Sequence, residues 1–225
     1  MRRPNILLMH TDQQRWDALG ANGNDEIRTP HLDALAADGV NLDHYFVQNP
    51  VCMPSRMCLL TGQYPSAFGA LRNGVALPED ALTLPRLLGG YGYHTANIGK
   101  LHFLPHACRD HRRAHPSYGF EHMEISDEPG DYEDAYRAWL RRVAPEELDR
   151  ACVGLSPAAG KWQEMMGIDD GIPHPERGEN RPRAWPARSD VTHTAFVAEQ
   201  TIEYLRTHRD RSFLCVAGFY APHAP

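Results

Sequence analysis

The chain has 225 residues, of which 42% are hydrophobic and 23% charged, enough to build one substantial core. A formal net charge of −6 and a pI near 6.1 exclude the basic footprint of a nucleic-acid binder. Anions must therefore be drawn by a local cluster of cations or metal. Five cysteines, at 52, 58, 108, 152 and 215, form no C-x-x-C pair and are odd in number, which argues against a disulfide framework.

Taken in chain order, apolar runs alternate with helical patterns, the texture of an α/β sheet wrapped by helices. The first run, Asn5 to Met9, reads as a buried strand. It is too short for a signal-peptide core and lacks a small-residue cleavage site. The weakly polar stretch from Phe213 to Ala221 is far below membrane-spanning length. These features lead us to expect a cytoplasmic protein with neither a membrane nor a nucleic-acid partner.

Thr29 as N-cap, Pro30 at the first position and Gly39 past the end frame a helix with Leu32, Leu35 and Ala36 inward. Val40 to Val47 is expected as a strand, and the segment after Pro54 as a helix. Tyr93 to Ile98 forms a further strand, followed by a loop with Lys100 and His102. Tyr132, Ala135, Tyr136, Trp139, Leu140 and Val143 recur at helical spacing between Asp131 and Val143. Prolines and glycines then interrupt any period from 144 to 189, which we read as a long loop or lid. Asp190 is expected to cap a helix with Val191, Ala195, Ala198, Ile202 and Leu205 on one face. Phe213 to Phe219 is the last strand and delivers Tyr220-Ala221-Pro222-His223.

Several residues at the ends of these elements have the chemistry of a site. Asp12 lies just beyond the first strand, where open α/β sheets place ligands. Its carboxylate and the neutral oxygen of Gln13 suit a hard divalent cation, although an aspartate there also begins ordinary turns. Cys52 precedes a helix start whose free N–H groups and dipole favour an anion, with Arg56 one turn on. An isolated cysteine of this kind is more often a small buried thiol. Pairing Cys52 with Cys58 as a redox or metal couple would leave Pro54-Ser55-Arg56 without a purpose. Asn73, before Gly74, fits either a turn or a substrate-facing polar group. His31, His44, His106, His111, His115 and His122 match no motif.

Cys52-Met53-Pro54-Ser55-Arg56, continued through Leu60-Thr61-Gly62, resembles the sulfatase signature C-x-P-S-R-x-x-x-L-T-G at every fixed position. Gly92-Tyr93-His94-Thr95 through Gly99-Lys100 resembles the second signature, G-Y-x-T-x-x-x-G-K, and Pro222-His223-Ala224-Pro225 the P-H-x-P turn. The resemblance implies an alkaline-phosphatase-like mixed sheet flanked by helices. It also implies hydrolysis of a sulfate ester, small or carbohydrate. Cys52 would be oxidised to formylglycine by a formylglycine-generating enzyme and act as nucleophile and metal ligand. Asp12 and Gln13 would hold the metal, expected as calcium, with manganese or magnesium as alternatives. Arg56 would support the modified residue, and Lys100 would neutralise substrate charge. His102 would orient the nucleophile, His223 would protonate the leaving oxygen, and Asn73 would face the substrate.

Gln13 replaces the second aspartate usual in sulfatases and is shared with phosphonate monoester hydrolases, which makes a phosphonate or phosphodiester hydrolase the alternative. Lys100 and His102 stand where those enzymes have tyrosine and threonine, and favour sulfate. The family's later metal ligands lie beyond the P-H-x-P turn. Residues 1–225 are therefore expected to be the N-terminal portion of a catalytic domain, truncated before its C-terminal part. An inactive fragment or pseudoenzyme is the remaining alternative.

Overall fold

The computed structural model describes residues 3–106, 114–176 and 184–223. Cys108 and His111 lie outside these ranges, as do residues 177–183 of the expected lid. Four strands form one sheet: β1 (Ile6–His10), β2 (His94–Gly99), β3 (His122–Ile125) and β4 (Phe213–Gly218), in the order β1-β4-β2-β3. All three pairings are parallel, with Ile6 opposite Leu214, His94 opposite Phe213 and Ala96 opposite His122. No antiparallel pairing of the expected mixed sheet occurs among the described residues.

The central strand β4 shows why the sheet is covered on both sides. Phe213, Cys215 and Ala217 point into one core cluster with α5 (Ala135–Val143) and α7 (His193–Thr207), through Tyr136, Trp139, Leu140, Phe196 and Tyr204. Leu214 and Val216 point into the other, with Met53, Met57 and Leu60 of α2 (Cys52–Thr61) and with Phe103 and Tyr118. All six residues of β4 are buried, as a central parallel strand requires. The shorter helices are α1 (Pro30–Asp38), α3 (Pro65–Phe68), α4 (Leu84–Gly90) and α6 (Pro157–Met166).

Several expected elements differ. β1 is an edge strand whose Leu7 and Met9 are 40% and 52% exposed, so it is not the buried strand its composition promised. In α1 the frame of Thr29, Pro30 and Gly39 holds, but Leu32 and Leu35 face outward because no sheet lies beneath them. Val40 to Val47 has no strand partner and remains irregular and exposed. α2 begins at Cys52, two residues before Pro54, which sits in its first turn. α5 starts at Ala135 with Asp134 as cap, leaving Tyr132 outside it.

Between 144 and 189 the chain is less featureless than a loop. Ser156 caps α6 by accepting the Ala159 N–H, and a 3-10 turn spans Pro145–Glu147. α7 is capped by Thr192, not Asp190, which lies in the preceding 3-10 turn. Its buried face carries His193, Phe196, Val197, Thr201 and Tyr204, while Ile202 is 47% exposed. The aromatic pair Phe196 and Tyr204 offers more area to bury than Ile202 and sets the rotation.

Candidate active site

The parallel order places every strand's carboxyl end on one edge of the sheet, and the chemistry gathers there. β1 leads to Asp12 and Gln13, β4 to His223, β2 to Lys100 and His102, and β3 to Asp127 and Glu128. The Asp12 N–H donates to Ala221 O at 3.4 Å and the Lys100 N–H to Gly218 O at 2.8 Å, stitching three of these ends together. The second stitch depends on glycine. Gly99 has φ +87°, and a Cβ there would lie 2.2 Å from Gly218 O.

Asp12 is the electrostatic centre. Its Oδ2 lies 2.8 Å from Lys100 Nζ and 3.2 Å from Arg56 Nη2, and all three side chains are buried. Burial alone would raise the Asp12 pKa, but Lys100 and Arg56 outweigh it and hold the carboxyl below its ordinary value. Arg56 also donates from Nη1 to Lys100 O at 2.8 Å, so one guanidinium joins α2 to two strand ends. Lys100 Nζ sits 4.6 Å over the Tyr220 ring and 3.9 Å from Glu128.

A cleft of about 550 Å³ opens over this centre. Its walls include His10, Asp12, Gln13, Cys52, Arg56 and His223. Cys52 occupies the first position of α2, at the positive end of its dipole. Asn73 approaches it: Asn73 Nδ2 lies 3.5 Å from Sγ, and Asn73 Oδ1 accepts the Met53 N–H at 3.3 Å. Gln13 has φ +61°, a left-handed conformation that is unusual for a non-glycine residue and often found where a side chain is aimed at a ligand. Burial and the nearby Arg56 lower the His10 pKa to about 4, so this imidazole is neutral.

The other two sequence candidates sit differently. Lys100 is not on the cleft wall, and it reaches the site through Asp12. His102, at φ +54°, is buried with its ring 5.4 Å from that of His106 and is likewise off the wall. Its backbone is held by a residue the sequence did not single out. Asp127 Oδ1 accepts both the Leu101 N–H at 2.7 Å and the His102 N–H at 2.9 Å. The available signal was an acidic pair closing the short His122–Ile125 strand.

The donor set fits a hard cation. Both protein cations contact Asp12 Oδ2, and Oδ1 accepts no hydrogen bond among the described residues. The Gln13 amide shares the same cleft. A larger hollow of about 820 Å³ between Gly20 and Asn41 has no comparable set, since Thr29 and Asp33 there bond one another and the Gly20 and Ala21 N–H groups.

Comparison with known proteins identifies the family. The family model described as Sulfatase matches residues 4–225. The chain belongs to the sulfatase family. It is 30% identical over 233 residues to an arylsulfatase of Clostridium perfringens, covering 99% of this chain and 44% of that protein. It is 38% identical over 130 residues to an ulvan-active sulfatase of Formosa agariphila, covering 58% of this chain and 25% of the relative. The structure of a phosphonate monoester hydrolase of Agrobacterium radiobacter superposes with a TM-score of 0.70 at 29% identity, over 98% of this chain and 41% of that one. The sulfatase chain thus spans less than half the length of these relatives.

Proposed function

We propose that this chain contributes the nucleophile and the anion-binding half of a sulfate-ester hydrolase. The observation that carries the reading is Cys52 at the positive end of α2, sharing one cleft with Asp12, Gln13, Arg56 and His223. Oxidised to formylglycine, Cys52 supplies a hydrated aldehyde in which one oxygen takes the sulfuryl group and the other expels sulfate as the carbonyl re-forms. Asp12 and Gln13 would hold a hard divalent cation, calcium first with magnesium or manganese as alternatives, which would supply Lewis-acid charge.

The remaining steps belong to the protein's own side chains. Arg56 and the first N–H groups of α2 set a positive field at position 52. Asn73 fixes the orientation of that residue through its contacts with Sγ and the Met53 N–H. Lys100 keeps Asp12 ionised. His223, facing the same cleft, donates a proton to the departing alkoxide or aryloxide oxygen. His102, whose backbone N–H is held by Asp127, would support the nucleophile's orientation.

Substrate class is read from the relatives, an arylsulfatase and an ulvan-active sulfatase, as an aryl or carbohydrate sulfate. A second reading, phosphonate monoester hydrolysis, draws support from Gln13 and from the likeness to the Agrobacterium enzyme. The intact protein, co-expressed with a formylglycine-generating enzyme, tests both. Peptide mass spectrometry across residue 52 should show an aldehyde in place of the thiol, with one sulfur and two hydrogens lost and one oxygen gained, and an aryl sulfate should turn over faster than an aryl phosphonate. Unmodified Cys52 would remove the mechanism, and preference for the phosphonate would select the second reading.

A further inference from the structure

A second cluster of ligating side chains lies away from the cleft. We propose that Asp131, Cys152 and His174 form a structural site for a borderline transition-metal ion, zinc above all, which fastens the 144–189 segment to the loop after β3. One donor atom from each residue lies within 4.8 Å of the others. Cys152 Sγ is 3.1 Å from Asp131 Oδ1 and 3.8 Å from His174 Nδ1. A tetrahedral zinc with one sulfur and lighter donors has edges of about 3.6 Å, so small side-chain adjustments would seat the ion.

The surroundings are those of a built site. His174 turns its other nitrogen, Nε2, to Asp170 Oδ2 at 3.0 Å, the carboxylate–histidine relay that fixes a metal-binding tautomer. Asp170 is itself held by Gln163 Nε2 at 2.6 Å and the Ile172 N–H at 2.9 Å. The Gly154 N–H donates to Cys152 Sγ at 3.4 Å, a contact that favours thiolate. Asp131 and Cys152 are buried, while His174 retains 16% side-chain exposure and leaves a path for ion and water. The backbones are brought together by Gly130, at φ +76°, where a Cβ would lie 1.9 Å from Ala151 O, and by the Val153 N–H on Pro129 O at 3.0 Å.

Thiolate, imidazole and carboxylate together select zinc or its neighbours, whereas calcium and magnesium demand oxygen throughout. Binding exchanges one proton for the cation: the metal forms a bond to Sγ, and the thiol proton leaves to solvent. A nucleophilic Cys–His pair accounts less well for the cluster. Cys152 is 1% exposed and its thiol points at Asp131 Oδ1, 3.1 Å away, so no substrate can reach the sulfur.

The test uses the full chain with Cys52→Ala, so that the cleft cysteine contributes nothing. Cobalt titration should develop a thiolate-to-cobalt charge-transfer band that zinc displaces at one equivalent, and zinc should slow proteolysis within 144–189. Cys152→Ser should abolish the band. Asp170→Asn, which leaves all three ligands in place, should weaken zinc binding about 10- to 100-fold. Absence of the band in folded protein, its persistence in Cys152→Ser, or unchanged affinity in Asp170→Asn would each overturn the assignment.

Discussion

Asp12 shows how one carboxylate organises neighbours that the sequence keeps far apart. It is the counter-charge for two buried cations, Lys100 and Arg56, whose remaining acidic neighbour is Glu128 at 3.9 Å from Lys100. Asp12→Asn would leave both cations poorly compensated, and breaking such a pair costs about 3–5 kcal/mol. Urea denaturation should register that loss. Restoring neutrality with Asp12→Asn/Lys100→Met should recover part of it, and an additive double mutant would refute the coupling. Asp12, Gln13, Cys52, Arg56 and His223 were each legible in sequence as candidates because their motifs fall at element ends. Asp127 was not, because its role is to accept two backbone N–H groups from a distant stretch of chain, and the acidic pair it forms with Glu128 does not reveal those partners.

At the scale of elements, the close crossing of β2 and β4 is the constraint most open to test. Gly99→Ala must hold a left-handed backbone and push a Cβ against Gly218 O and the Val197 side chain. Left-handed strain and overpacking together cost on the order of 3 kcal/mol, which should lower the thermal midpoint by several degrees. Gly23→Ala also has positive φ but has open space around it, and should cost only the strain.

The sequence exposed β1, β2, β4 and α7 through their apolar runs and helical spacing, although Thr192 and not Asp190 caps the helix. It failed where burial depends on a partner that periodicity cannot reveal. Val40 to Val47 has strand composition but pairs with no strand among the described residues, and α1 has a helix frame over no core. β3 is only four residues, all half-buried, and carries too little pattern to separate from loop. The helix α6 was hidden by the prolines and glycines around it.

For the molecule as a whole, acid should act through two imidazoles whose folded pKa lies near 4, His10 and the fully buried His193. His193 Nε2 hydrogen-bonds Ser126 O at 3.0 Å in a buried position, and burial lowers its pKa to about 4. Below pH 6.5 the unfolded chain takes up a proton on this imidazole, whereas the folded chain does so only near pH 4. Stability should therefore fall as pH drops through that window, by up to about 3 kcal/mol, and be unaffected above it. Denaturation midpoints measured from pH 7 to pH 4 should fall less steeply in His193→Gln, with the remaining slope coming from His10.

Exposed apolar residues also mark the surface of the molecule. Leu32, Leu35, Tyr45, Phe46 and Val47 are between 39% and 73% exposed, and Tyr45, Phe46 and Val47 border a groove with Leu8 of β1. Sedimentation should show concentration-dependent association, reduced by Leu35→Glu/Phe46→Glu. The strand order has a further effect on timing. During synthesis from the amino end, β1 and β2 emerge long before the strand that must lie between them. Asp12 and Lys100 cannot meet until Phe213–Gly218 slides into that gap, so the charge centre is assembled in a non-local step and reports that the strand has entered the sheet.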